Sequence, residues 1–234
     1  MRPKRQDELV KYVIDMYIIS KEISTEPLRL TIQEMNSWIS FDLSVLCIRN
    51  MQIEERDDLV FYNSNCRGNY STGQKSEFSS SQFRNVRRWR DQTFPMSVDG
   101  AVKIIESFSD EDYAEYIELQ LSKLSPEITE LLFCVSTYED HFSLKDVPSL
   151  NISLWRKNYE KEQMRGTYSE SEIVGNNELW KEYNGCLDSY DINLNGANSN
   201  AAVLGIIKRD NNRFILEPCY KLYNNLEELA NDYL

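Results

Sequence analysis

Short runs with an apolar residue at every second position recur along the chain, separated by turn residues. Leu28-Arg29-Leu30-Thr31-Ile32 is the cleanest, and such alternation predicts a half-buried strand. Phe41 to Ile48 reads as a second strand, Asn50 to Arg56 as a turn, and Leu59 to Tyr62 as the return strand. Further on, Ile117, Leu119 and Leu121 alternate with Glu118 and Gln120. Leu131 to Thr137 is apolar at successive positions, which predicts a central strand covered on both faces. Leu150 to Trp155 alternates again after Pro148, and Tyr190-Asp191-Ile192 opens another strand. Ala201 to Lys208 and Phe214 to Cys219 flank Asp210-Asn211-Asn212, residues that tolerate positive φ, and form the clearest hairpin in the chain.

Helical spacing is confined to the periphery. Leu9, Val13 and Tyr17, with Tyr12 and Ile14, predict a short amphipathic helix over residues 8–19, and Pro27 closes this extension. Val98, Val102 and Ile105 predict a short helix within 98–107, and Leu226, Leu229 and Leu234 a C-terminal helical segment. Residues 64–85, rich in Ser, Asn, Gly and Gln, read as a long exposed loop, and residues 157–185 are charged and aromatic without a clean period. About eight strands with turn signals between them, and no regular strand–helix alternation, predict a mostly-β chain: an antiparallel β-sandwich with peripheral helices. We divide it into an N-terminal helical extension (1–26), the sandwich (27–222) with an insertion at about 66–105, and a helical tail (223–234).

Composition is ordinary for a globular chain of 234 residues, with 41% hydrophobic and 27% charged. Charge says more. A formal net charge of −12, from 38 acidic and 26 basic residues, disfavours contact with phosphate backbones or anionic lipid. It favours cations and partners with basic patches. No apolar run approaches the ~20 residues of a membrane helix. Met-Arg-Pro-Lys-Arg resembles the start of a secretory signal, but Gln6, Asp7 and Glu8 interrupt any apolar core. The five cysteines (Cys47, Cys66, Cys134, Cys186, Cys219) are scattered and include no CxxC pair, which predicts reduced thiols and a cytoplasmic protein.

Candidate chemistry gathers around Leu59 to Tyr62. Asp57 and Asp58 precede this strand and Asn63 follows it, and oxygen ligands at the ends of a rigid strand suit a hard cation such as calcium. From Ile104 to Ser122 there are six acidic residues and no basic one. Alternation puts Asp42 and Ser44 on one strand face and Leu43 and Val45 on the other, so Asp42 can reach a neighbouring loop. The metal candidates are Asp42, Asp57, Asp58, Asn63, Asp110, Asp112 and Glu115; the competing reading is solvated loop charge. His141 is the one histidine and no GxSxG elbow is present, so we expect no enzyme. Arg84, Arg87, Arg88 and Arg90 around Trp89 are a local argument for nucleic acid, opposed by the overall charge; we read them as covering an acidic neighbour.

Several of these pieces, in this order, resemble the tellurium-resistance TerD-like family, which overlaps calcium-binding stress proteins. Phe41-Asp42-Leu43-Ser44-Val45 resembles the family's FDLDASV strand, and Asp57 to Asn63 its DxDFVFYNN. Glu115 to Leu124 resembles DDExIxVDLxxV, and Leu132-Phe133-Cys134-Val135-Ser136 the following IVFxVTI strand. Tyr190-Asp191-Ile192 and Ala201 to Phe214 are similar to the YDL and closing-hairpin region. The family's glycine-rich GDNxTGxGxGDDE loop has no counterpart beyond Gly73 and a serine-rich tract. The resemblance implies a β-sandwich without enzymatic activity that binds calcium through acidic and amide positions. The expectation is a stress-response or tellurite-resistance protein whose loops, ordered by calcium, meet a protein partner. The alternative is a metal-free interaction or scaffold module.

Overall fold

The inward faces of two antiparallel sheets are the alternating apolar positions of the sequence. In the computed structural model the described residues are 16–34, 41–53, 56–69, 93–108, 113–137, 143–147, 149–156, 185–194, 197–211 and 213–234. One sheet has six strands, in the order β1 (Tyr17–Ile19), β13 (Arg213–Tyr223), β12 (Ala201–Asp210), β9 (Ile128–Ser136), β3 (Asp42–Arg49) and β4 (Leu59–Val60). The other has five: β11 (Cys186–Asn193), β10 (Ser149–Arg156), β2 (Leu28–Glu34), β8 (Tyr113–Leu119) and β7 (Val102–Phe108). A small pair, β5 (Arg67–Asn69) and β6 (Thr93–Pro95), forms a sheet of its own that packs against β7 through Phe94 and Ile105. The helices among the described residues are α1 (Lys21–Ser24) and α2 (Leu226–Asn231). The expected antiparallel β-sandwich with peripheral helices is the observed fold.

Leu28, Leu30 and Ile32 of β2 turn inward with Leu150, Ile152 and Leu154 of β10 and Ile117 and Leu119 of β8. Across from them lie Leu43, Val45 and Cys47 of β3, and Leu131, Phe133 and Val135 of β9. Phe133 is fully buried, its backbone between Val45 and Gly205. The outer face of the six-stranded sheet is also apolar. Leu46, Ile48, Leu132, Cys134, Ala201 and Val203 pack under Leu226 and Leu229 of α2. This lid explains why Leu131 to Thr137 lacks alternation. Asn225 Oδ1 caps the helix by accepting from Glu228 N (2.8 Å), and Asp232 Oδ2 ties its far end to β13 by receiving Lys221 Nζ (2.7 Å) and Tyr223 Oη (3.0 Å).

The β12–β13 hairpin turns at Asn211 with φ of 54°, as its sequence predicts. Its register shifts between Val203 and Gly205. A side chain at Gly205 would collide with the Tyr190 hydroxyl, which donates to Leu204 O (3.2 Å) across the core. Burial pushes the pKa of this phenol up.

Two expectations are corrected. Tyr17–Ile19 is an edge strand and not the end of a helix; the β13 backbone at Phe214 to Leu216 offers it partners. Residues 8–15 of the expected helix lie outside the described residues. Val102 to Phe108 is a strand and not a helix. Val102 and Ile104 face the core, while Ile105 is apolar because Phe94 packs over it, and that outer contact mimicked a helical period. Consequently β6 and much of β7, inside the stretch expected as an insertion, are strands, and β7 is the edge of the five-stranded sheet.

Truncating Phe133 to Ala should lower unfolding free energy by about 3–5 kcal/mol in urea titrations. Burial raises the thiol pKa of Cys47 and Cys134 above the ordinary 9.0, so the native state keeps protons that the unfolded state releases. Their stabilising contribution is intact below pH 9.0 and is lost as pH climbs toward the folded-state values. Denaturation series from pH 8 upward, with a thiol reagent that reaches these two cysteines only after unfolding, test this.

Candidate functional site

Strand β3 ends at Arg49, where the chain reverses through Asn50 (φ 47°) and Met51 (φ 72°). Arg49 and Gln52 exchange backbone hydrogen bonds of 2.7 and 2.8 Å, which fixes the guanidinium at the rim. The one-turn 3-10 segment Arg56–Asp58 brings two carboxylates up beside it. Arg49 Nε donates to Asp58 Oδ1 (3.0 Å) and Oδ2 (3.1 Å), and Nη2 lies 3.0 Å from Oδ1. Nη1 donates to Glu127 Oε2 at 2.5 Å. The Asp58 side chain is 5% exposed and that of Arg49 15%, so this is a buried ion pair with an exposed third member.

A cavity of about 170 Å³ opens here, lined by Cys47, Arg49, Asp57, Asp58, Ser97, Asp99 and Ser125 among others. Asp99 completes the turn that starts β7. Its Oδ1 accepts from Ser97 Oγ (2.6 Å) and Ala101 N (3.0 Å), and its Oδ2 from Ser125 N (2.7 Å). Sequence reasoning missed Asp99. The available signal was Asp99-Gly100, a turn dipeptide in which Gly100 takes φ of 68°.

The structure brings Asp57 and Asp58 to one cavity and separates them from Asp42. Asp42 opens β3 opposite Ser136, and the strand places it roughly 23 Å from Arg49 at ~3.3 Å per residue. Asn63 is exposed in the turn after β4. Glu115 stands in β8 in register with Glu106, and Asp110 and Asp112 lie outside the described residues. So do Arg84, Arg87, Arg88, Trp89, Arg90 and His141.

Calcium takes six to eight oxygens at about 2.3–2.6 Å. The described residues do not fit it at this rim. Both Asp58 oxygens accept from Arg49, and both Asp99 oxygens face backbone N–H groups. Among the described residues no three His, Cys, Asp or Glu side chains converge on one point.

The outer face of the five-stranded sheet is the second candidate. Trp155, Arg29, Glu118 and Lys103 form one cross-strand row; Ser189, Ser153, Thr31 and Tyr116 form the next. Trp155 Nε1 donates to Thr31 Oγ1 (3.0 Å), and Ser153 and Ser189 share a 2.9 Å hydrogen bond. The Arg29 guanidinium carbon sits 4.1 Å from the Tyr116 ring centroid. Its Nε is buried without an acceptor, while Lys103 Nζ lies 2.8 Å from an oxygen of Glu118, the residue opposite Arg29.

No family model matches the chain, and no curated protein matches it. The chain is similar to some solved structures. One is SCO6318 from Streptomyces coelicolor A3(2), a homologue of the telluride resistance protein TerD: TM-score 0.47, 10% identity, 86% of this chain and 92% of that one. Another is SAV2460, a protein of unknown function: TM-score 0.48, 12% identity and the same coverage.

Asp99→Ala would leave two backbone N–H groups and a hydroxyl without their acceptor. It should cost about 1–3 kcal/mol of stability. Asp57→Ala should stay within about 0.5 kcal/mol. Parallel chemical denaturation of the two variants separates the structural carboxylate from the dispensable one.

Proposed function

We propose that the protein is a non-enzymatic interaction module of TerD-like fold that serves a stress response and docks a protein partner on its five-stranded sheet. The order of sequence motifs supports the family reading. The free state of all five cysteines supports a reducing, cytoplasmic setting. The observation that carries the docking reading is Arg29. It is a half-buried cation on a chain of net charge −12, its guanidinium held over the Tyr116 ring. A guanidinium fixed over an aromatic ring is preorganised for the planar fork of a carboxylate. The partner chemistry is therefore an acidic side chain or a C-terminal carboxylate, bordered by the amide and hydroxyl groups of Asn151, Ser153 and Ser189.

A glutamate-rich peptide is a sufficient probe. Binding should weaken as salt rises, and Arg29→Met should weaken it about tenfold or more. The same variant should keep a melting temperature close to that of the wild type. Undiminished binding by Arg29→Met, or a marked loss of stability, would assign Arg29 to packing instead.

A further inference from the structure

We propose that strand β1 is a dimerisation edge: it pairs antiparallel with β1 of a second copy of this chain, so that two six-stranded sheets become one. The inference is independent of the docking face at Arg29 and rests on the other sheet.

Among the described residues the two sheets end in four strands, β1 and β4 in one and β11 and β7 in the other. A sheet edge offers unpaired N–H and C=O groups to any extended chain, and charged side chains are a common means of keeping such chains off. Three of the edges carry them. Asp57 and Asp58 lead into β4, β11 holds Asp188 and Asp191, and β7 holds Lys103. The β1 edge is different. Met16-Tyr17-Ile18-Ile19-Ser20 contains no charge and no proline, and Tyr-Ile-Ile favours a strand.

One side of β1 is taken by β13, with Tyr17 opposite Leu216, Ile18 opposite Ile215 and Ile19 opposite Phe214. Tyr17 and Ile19 pack on the core between the sheets, whereas Ile18 is 51% exposed and Met16 61%. Ile215 faces outward by alternation between Phe214 and Leu216 and extends the apolar strip beside Ile18. Neither Ile18 nor Ile215 belongs to the cluster under α2. Lys208, opposite Ile215 on β12, is neutralised by Glu217 at 2.5 Å.

A second β1 matches this edge. Antiparallel pairing about a two-fold axis at Ile18 sets Ile18 against its own symmetry mate, Tyr17 against Ile19 and Met16 against Ser20. Inward side chains then meet inward ones, and no charge enters the junction. Its hydrogen bonds come from the main chain, as in other cases of strand addition. The junction is short, so the dimer is weak and depends on concentration. A net charge of −12 on each copy opposes it, and salt strengthens it by screening that repulsion.

The experiment is sedimentation equilibrium of the full chain from micromolar to millimolar concentration, in low and high salt, beside Ile18→Lys and Arg29→Met. Wild type should dimerise as concentration rises, and more tightly in high salt. Ile18→Lys puts a charge on the exposed edge and should weaken dimerisation about tenfold or more while keeping the wild-type melting temperature. Arg29→Met should dimerise as the wild type does, which separates this edge from the docking face. Under mild oxidation Ile18→Cys should form a covalent dimer faster than Val98→Cys, a control at an exposed position on the rim, and it preserves the test should Ile18→Lys not fold. A wild type that stays monomeric at millimolar concentration would overturn the inference and leave the edge to another protein's strand. So would a dimer that Ile18→Lys does not weaken, or crosslinking of Ile18→Cys no faster than that of Val98→Cys.

Discussion

Strand β9 is buried on both faces, and the rest of the molecule is arranged to permit that. Its inner side chains meet the five-stranded sheet, and its outer ones would face water without α2. Burial of apolar area at roughly 25 cal/mol per Å² is the dominant favourable term. It forces a lid onto one side of the six-stranded sheet, and the lid in turn requires an anchor. Lys221, Tyr223 and Asp232 supply it, and their hydrogen bonds lower the pKa of the Asp232 carboxyl. The helix itself is only Leu226–Asn231, too short to be stable without the surface it covers.

With one face of each sheet claimed by the core, charge is pushed to two places: strand ends, and the open face of the five-stranded sheet. At the rim two carboxylates are consumed by structure. Asp58 is neutralised by Arg49, and Asp99 ties the start of β7 to the turn at Ser125. Asp58, one of the acidic residues that look like ligands along the chain, is here a staple between loops. On the open face the polar groups alternate with core residues of β2, β10 and β8, and hydrogen-bond across the strands. Arg29 joins that face through its guanidinium, which lies over the Tyr116 ring.

The carboxylate-bearing strands also show two acidic candidates set far apart in three dimensions. Asp42 and Asp58 are joined by sequence proximity and by a shared family motif order, yet they mark opposite ends of β3. A strand is stiff and long, so residues 16 positions apart on a hairpin-like path need not meet. Asp99, distant in sequence, does meet Asp57 and Asp58, because β7 begins beside the end of β3.

Period-2 alternation by itself determined which side chains form the core of β2, β8 and β10, and the apolar run at Leu131 to Thr137 marked the central strand. Turn chemistry located the β12–β13 hairpin. These features depend on local spacing, which a single sequence displays. Tertiary structure alone decided that Ile105 is covered by Phe94, that Tyr17–Ile19 joins β13, and that Arg49 reaches both Asp58 and Glu127. Each depends on a partner remote in the chain, and long-range contacts leave no periodic trace. The same reason hid the rim: a charge reads as a ligand or a staple only once the cation facing it is known.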